Sequence, residues 1–140
     1  VLTLQDATAR NIIDTLCKSD RRYTWSVDGS SVNVYPRETV GNSSYLLNRE
    51  LDSIALKNIN GPSDALNPLM KLLPGEQLGY AGIGVNNDYP KPWNAVFNNL
   101  TVRQLMNRLS EHNGSRGGWI WSGSRGQTFF AYFERGFKQW

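Results

Sequence analysis

The chain has 140 residues, of which 39% are hydrophobic, 19% charged and 11% aromatic. That is long enough to bury a core and too aromatic for a disordered tract. The net charge of +3 and a pI of about 9.2 permit an anionic partner without demanding one. No apolar run approaches the roughly 18 residues of a membrane helix. No charged-then-apolar leader is visible, and Val1 in place of Met fits a mature or trimmed chain, which keeps a removed export signal open.

In chain order, Val1, Thr3 and Gln5 alternate with Leu2, Leu4 and Asp6, which predicts a short strand. Asp6 or Thr8 offers a side-chain oxygen to the free N–H groups of a following helix. Ala9, Ile12, Ile13, Leu16 and Cys17 then recur at helical spacing and form one apolar stripe. Residues 23–27 and 31–35 are rich in β-branched and aromatic side chains. Asp28-Gly29 between them predicts a hairpin, and Pro36 ends its second strand.

Residues 37–51 carry no period and read as a linker. The pattern returns from Asp52. Ile54, Leu56 and Ile59 mark a strand, and Pro62 with Ser63 or Asp64 suits a first helical turn. Ala65, Leu66, Leu69, Met70, Leu72 and Leu73 supply an apolar face. Pro68 is expected to shorten or kink that helix, and Pro74-Gly75 to stop it. A glycine-rich strand is expected over 78–85, then a loop over 86–92.

The third return carries its strand on Val96 and Phe97, a cap at Thr101, and a stripe of Val102, Leu105, Met106 and Leu109. A hairpin of 118–122 and 127–134 follows. The first and third returns align without a gap over ten positions, 7–16 against 100–109, with Thr, Arg and Leu identical, and each runs into an aromatic strand. These elements predict an α+β fold of repeated β-α-β(β) units, about three helices on small mixed or antiparallel sheets. Residues 1–36 read as a β-α-β-β half-unit, 37–51 as the linker and 52–140 as a β-α-β-β-α-β-β domain. Any parallel pairing within a β-α-β unit would cross over right-handed.

Little of this carries chemistry. The lone cysteine, Cys17, adjoins the apolar stripe and reads as a packing residue. The lone histidine, His112, falls at the end of a helix, where a cation suits the dipole. A Cys17–His112 couple lacks any activating neighbour. The acids are scattered, with neither metal-ligand spacing nor a glycosidase-like pair. The glycines of 79–84 lack the Lys-Ser/Thr and the helix of a phosphate loop. No catalytic residue, metal or cofactor is therefore expected, and an enzyme with an unrecognised site stands lowest.

The aromatics are the unusual feature. Alternation puts Trp119 and Trp121 on one face of their strand and Ile120 on the other, and Phe130 and Tyr132 share one face of the next. Arg116, Arg125 and Arg135 flank this hairpin. Arg21, Arg22 and Arg37 flank the first, which carries Tyr23 and Trp25. Core packing explains the rings and solvated tips explain the arginines. Arginine beside exposed rings also suits a protein hot spot or single-stranded nucleic acid. The candidate binding residues are Trp119, Trp121, Arg116, Arg125, Phe130, Tyr132, Tyr23 and Trp25.

The strand and turn of 54–58, the helix of 62–73, the second helix of 101–112 and the aromatic hairpin of 118–134 together resemble the secretin/TonB-dependent-receptor short N-terminal domain. That domain is built as β-α-β followed by β-α-β-β. Residues 52–135 are similar to a complete copy, and 1–36 to the second unit of another. The resemblance implies a non-catalytic, exported or periplasmic module that docks a protein partner through a strand edge or helix face. The alternative reading is a binder of nucleic acid or another anionic polymer through the Arg/aromatic hairpins. The sequence specifies neither the partner nor an oligomeric state.

Overall fold

The computed structural model describes residues 8–83, 91–112, 117–124 and 127–134. The strand expected over 1–6 lies outside them. The described chain is α+β: α1 (Ala9–Ser19), β1 (Tyr23–Asp28), β2 (Ser31–Pro36), β3 (Glu50–Ile59), α2 (Leu66–Leu72), β4 (Leu78–Ile83), β5 (Trp93–Thr101), α3 (Val102–His112), β6 (Gly117–Ser124) and β7 (Gln127–Glu134). Both predicted threonine caps form. Thr8 Oγ1 accepts from Asn11 N at 3.3 Å, and Thr101 Oγ1 accepts from Gln104 N at 3.3 Å. Gln104 Oε1 in turn accepts from Thr101 N at 2.8 Å, which completes a capping box on α3.

Three small sheets form. β1 and β2 pair only with each other, β3 pairs antiparallel with β5, and the third sheet runs β4-β7-β6. Within it β4 is parallel to β7, and β6 antiparallel to β7. Among the described strands no β-α-β unit pairs its own two: β3 and β4, joined through α2, lie in different sheets, as do β5 and β6, joined through α3. These two helices thus connect sheets, with no parallel crossover inside either unit. β3 and β5 each contain an asparagine in the left-handed region, Asn58 at φ 54° and Asn99 at φ 52°. Their short side chains tolerate that conformation. Asn58 sits where the β3–β5 register slips, and its N–H is held by Asn94 Oδ1 at 2.7 Å.

The core is one cluster. Leu51, Ile54, Leu56 and Ile59 of β3 meet Leu66, Leu69 and Leu73 around α2 and Val102, Leu105, Met106 and Leu109 of α3. α3 is central: Arg103, Asn107 and Ser110 are buried along with its apolar stripe. Pro68 falls in the first turn of α2, where its missing N–H costs no helical bond, and a turn of 3-10 helix over Pro62–Ala65 precedes it. The helix is therefore short, as expected, but the proline does not interrupt it. The segment 37–51 holds two 3-10 turns and places Leu46 and Leu47 in the core. Two leucines are too few to show a period, yet they anchor the segment to the body.

The β1–β2 hairpin is inverted relative to the usual order. Its register puts Ser26, Asp28, Ser31 and Asn33 on one face, and Trp25, Val27, Val32 and Val34 on the other. The polar face meets α3, while Val27, Val32 and Val34 are exposed. At the tip, Gly29 has φ 60° and Ser30 does not, the combination of a II′ turn. A Cβ on Gly29 would stand 2.6 Å from Glu111 Oε1, so the close approach also requires glycine.

Candidate functional site

A cleft of about 510 Å³ lies between β2, α3 and β6, within the range of about 300–1,000 Å³ that ligand clefts span. Ser30 of the turn and every residue of β2 line it, and on β6 residues 118–121 do. A strand presents alternate residues when it offers a face. Consecutive residues mean that the cleft runs along its edge. Both edges are free among the described strands, since β2 pairs only with β1, and β6 pairs only with β7.

The direction of the β2 backbone follows from its register. Arg37 N donates to Arg22 O at 2.7 Å, one step beyond the Tyr23↔Pro36 pair. Hydrogen-bonded pairs alternate in an antiparallel ladder, so Ser31, Asn33 and Tyr35 turn their backbone groups to β1. Val32 and Val34 turn theirs to the open edge.

The side chains of the cleft are donors. Arg103, 9% exposed, comes from the first turn of α3 and has no carboxylate partner among the described residues. Its guanidinium lies 4.2 Å from the Tyr35 ring centroid and donates to Asn48 Oδ1 at 3.2 Å. Burial pushes its pKa down, and the neighbouring Tyr35 and Tyr45 oppose that. Burial pushes the Tyr45 phenol up, against the pull of Arg103. Asn33 is 6% exposed and its Nδ2 has no partner among the described residues. Trp121 Nε1 is also buried without a partner, while its ring meets Tyr45 edge-on at 5.0 Å. Each buried, unpaired donor costs about 1–3 kcal/mol.

Of the sequence-predicted site residues, Trp119, Trp121 and Tyr23 line this cleft. Trp119 and Trp121 are partly buried against the core, and Ile120 between them is exposed, as alternation requires. Trp119 Nε1 donates to Asn107 Oδ1 at 3.0 Å. Trp25 is held elsewhere: its Nε1 donates to Asp14 Oδ1 at 2.8 Å, and Arg10 sits 5.7 Å over its ring. Arg116 and Arg125 lie outside the described residues, as do the side chains of Phe130 and Tyr132 on β7. Sequence reasoning missed Arg103 and Asn33. Arg103 was legible only as one of three identities shared by the two helices, and Asn33 as a polar residue between two valines.

Two of the three arginines that flank the first hairpin are engaged. Arg22 bonds Asp20 at 2.7 Å, and Arg37 donates to the carbonyls of Arg21 and Tyr23. His112 stacks on Trp93 at 3.9 Å. Burial pushes its pKa down, which works against the cationic helix end expected from the sequence. Among the described residues no three His, Cys, Asp or Glu gather as a metal site, and no helix is long and apolar enough to cross a membrane. No protein-family model, curated protein or solved structure matches the chain.

Proposed function

We propose that the chain is a non-catalytic interaction module that docks an extended segment of a protein partner between the edges of β2 and β6. The observation that carries this reading is the cleft lined by consecutive residues of two strands whose facing edges are free among the described strands. An added strand gains backbone hydrogen bonds on its flanks and side-chain pockets at alternate positions, and Trp119 and Trp121 offer aromatic walls for the latter. The element order of residues 50–134, β-α-β-β-α-β-β, supports reading that part as similar to the secretin/TonB-dependent-receptor short N-terminal domain. An exported setting belongs to the same reading and rests on that likeness.

The test uses an edge-blocking proline. Val34→Pro removes an outward N–H and leaves the bonds to β1 in place. The probe is a fluorescein-labelled peptide of nine residues, alternating Thr and Val around a central Glu, followed by anisotropy. Binding to the native chain, weakened at least about tenfold in the proline variant, is the expected result. Equal binding by both proteins would sink the strand-edge reading.

A further inference from the structure

A buried guanidinium with no counter-ion among the described residues is the least expected feature of the cleft. A cation removed from water costs free energy unless an anion and hydrogen bonds compensate it. Arg103 has one hydrogen bond, to a neutral amide, and one aromatic ring. Its electrostatic demand is unmet within the described chain. Two more donors of the same cleft, Asn33 Nδ2 and Trp121 Nε1, are buried and unpaired. Asn33 and Trp121 lack an acceptor, and Arg103 lacks an anion, among the described residues. A wholly apolar occupant would leave each of them unsatisfied.

Arg103 is also the only charged side chain among the described residues that line the cleft. That separates two kinds of anionic occupant. A nucleic acid carries a phosphate at every nucleotide and is met by rows of cations tracking its backbone. A single guanidinium between two strand edges instead matches one negative group on an otherwise neutral strand. Arginine presents a planar fork that takes a carboxylate with two parallel bonds.

We infer that the segment docked in this cleft carries one acidic side chain, Asp or Glu, whose carboxylate is bound by Arg103, while Asn33 Nδ2 and Trp121 Nε1 donate to other acceptors of the same segment. This rests on the strand-edge reading and adds a specificity to it. Arg103 sets which strand is accepted; the outward backbone of Val32 and Val34 sets that a strand is accepted at all.

The experiment compares three peptides of alternating Thr and Val that differ only at the central residue, Glu, Gln or Lys, by fluorescence anisotropy against the whole chain. The Glu peptide is expected to bind about tenfold or more tighter than the Gln peptide, as a charge-assisted bond gives, and the Lys peptide weakest. Arg103→Met should bring the Glu/Gln ratio to about one. Trp121→Phe keeps an aromatic side chain, though a smaller one, and removes the donor, so it should weaken Glu and Gln peptides alike. Arg103→Lys, with circular dichroism to confirm folding, should keep part of the preference even if the methionine variant unfolds. Equal affinity of Glu and Gln peptides for the native chain would overturn the carboxylate site and leave strand docking standing. Binding of none of the three would remove both. Tighter binding of an eight-nucleotide oligo-dT, lost steeply with salt, would replace the peptide with a nucleic acid.

Discussion

The α1–β1–β2 region and the α3–β6–β7 region carry the same local devices in opposite surroundings. Each helix starts on a threonine whose Oγ1 accepts from the N–H three residues on. Each then bonds an indole of the strand that follows, Asp14 to Trp25 in one and Asn107 to Trp119 in the other. Asp14 and Asn107 occupy matching places in the ten-residue alignment. Yet Leu16 is 52% exposed and its counterpart Leu109 is 0% exposed. Of the residues of α1 only Cys17 is buried, whereas seven residues of α3 are. An apolar stripe therefore tells which face of a helix prefers cover. It does not tell how much cover the rest of the chain provides.

The largest expected effect follows from that contrast. Leu109→Ala removes a fully buried side chain from the core cluster, and should destabilise by about 2–5 kcal/mol. Leu16→Ala, at the matching position, should cost less than about 1 kcal/mol. Urea unfolding of both variants measures the difference. Equal losses would mean that α1 is covered in solution by something that packs as well as the core does.

Much of the architecture was legible because it is encoded locally. The threonine caps, the Asp28-Gly29 turn, the Pro74-Gly75 stop and the alternation of Trp119, Ile120 and Trp121 depend on neighbours within a few residues, and each formed. What the sequence did not show was pairing across distance. β4 pairs with β7, from the other unit, and β3 pairs with β5, whereas the strand and helix patterns left the partners of each strand open. The candidate site was half legible. Trp119 and Trp121 stood out as aromatics, but the cleft beside them exists only because the polar face of a distant hairpin approaches α3. Arg103 stood out in the sequence only as an identity shared by two helices, and nothing local announced that Tyr35 and Asn48 would lie against it.

The second effect concerns that approach. Asn107 is 1% exposed and joins three elements: its Nδ2 donates to Asp28 Oδ2 at 2.8 Å on the hairpin, and its Oδ1 accepts from Trp119 on β6. Asn107→Ala leaves a partly buried carboxylate and an indole N–H short of a partner, and should cost about 1–3 kcal/mol. Asp14→Ala, at the matching position of α1, releases only the half-buried Trp25 and should cost less than about 1 kcal/mol. Differential scanning calorimetry of the pair tests whether the hairpin is fastened through α3. A harmless Asn107→Ala would mean that it is not.

The smallest effect distinguishes the two helix ends. The offset that matches Leu16 to Leu109 also matches Lys18 to Glu111. Lys18 suits the negative C-terminal end of α1, and a glutamate in the last turn of α3 does not. Its partners account for it: Arg108 at 2.8 Å, and Ser30 N and Oγ, each at 3.1 Å, from the hairpin tip. The hydrogen bond from Arg108 leads in holding its carboxyl below the usual glutamate value, with Ser30 assisting and partial burial opposing. A depressed folded pKa means that the unfolded chain binds more protons through that window, so stability rises with pH across it. The contribution is complete above the ordinary glutamate value and is lost as pH falls through the folded one, below about pH 5. Glu111→Gln should flatten that part of the pH dependence of the urea midpoint and speed hydrogen exchange at the Ser30 amide, with a smaller loss at neutral pH than either substitution in α3 above. An unchanged slope with unchanged exchange would separate the tip of the hairpin from α3, and with it the wall that closes the cleft.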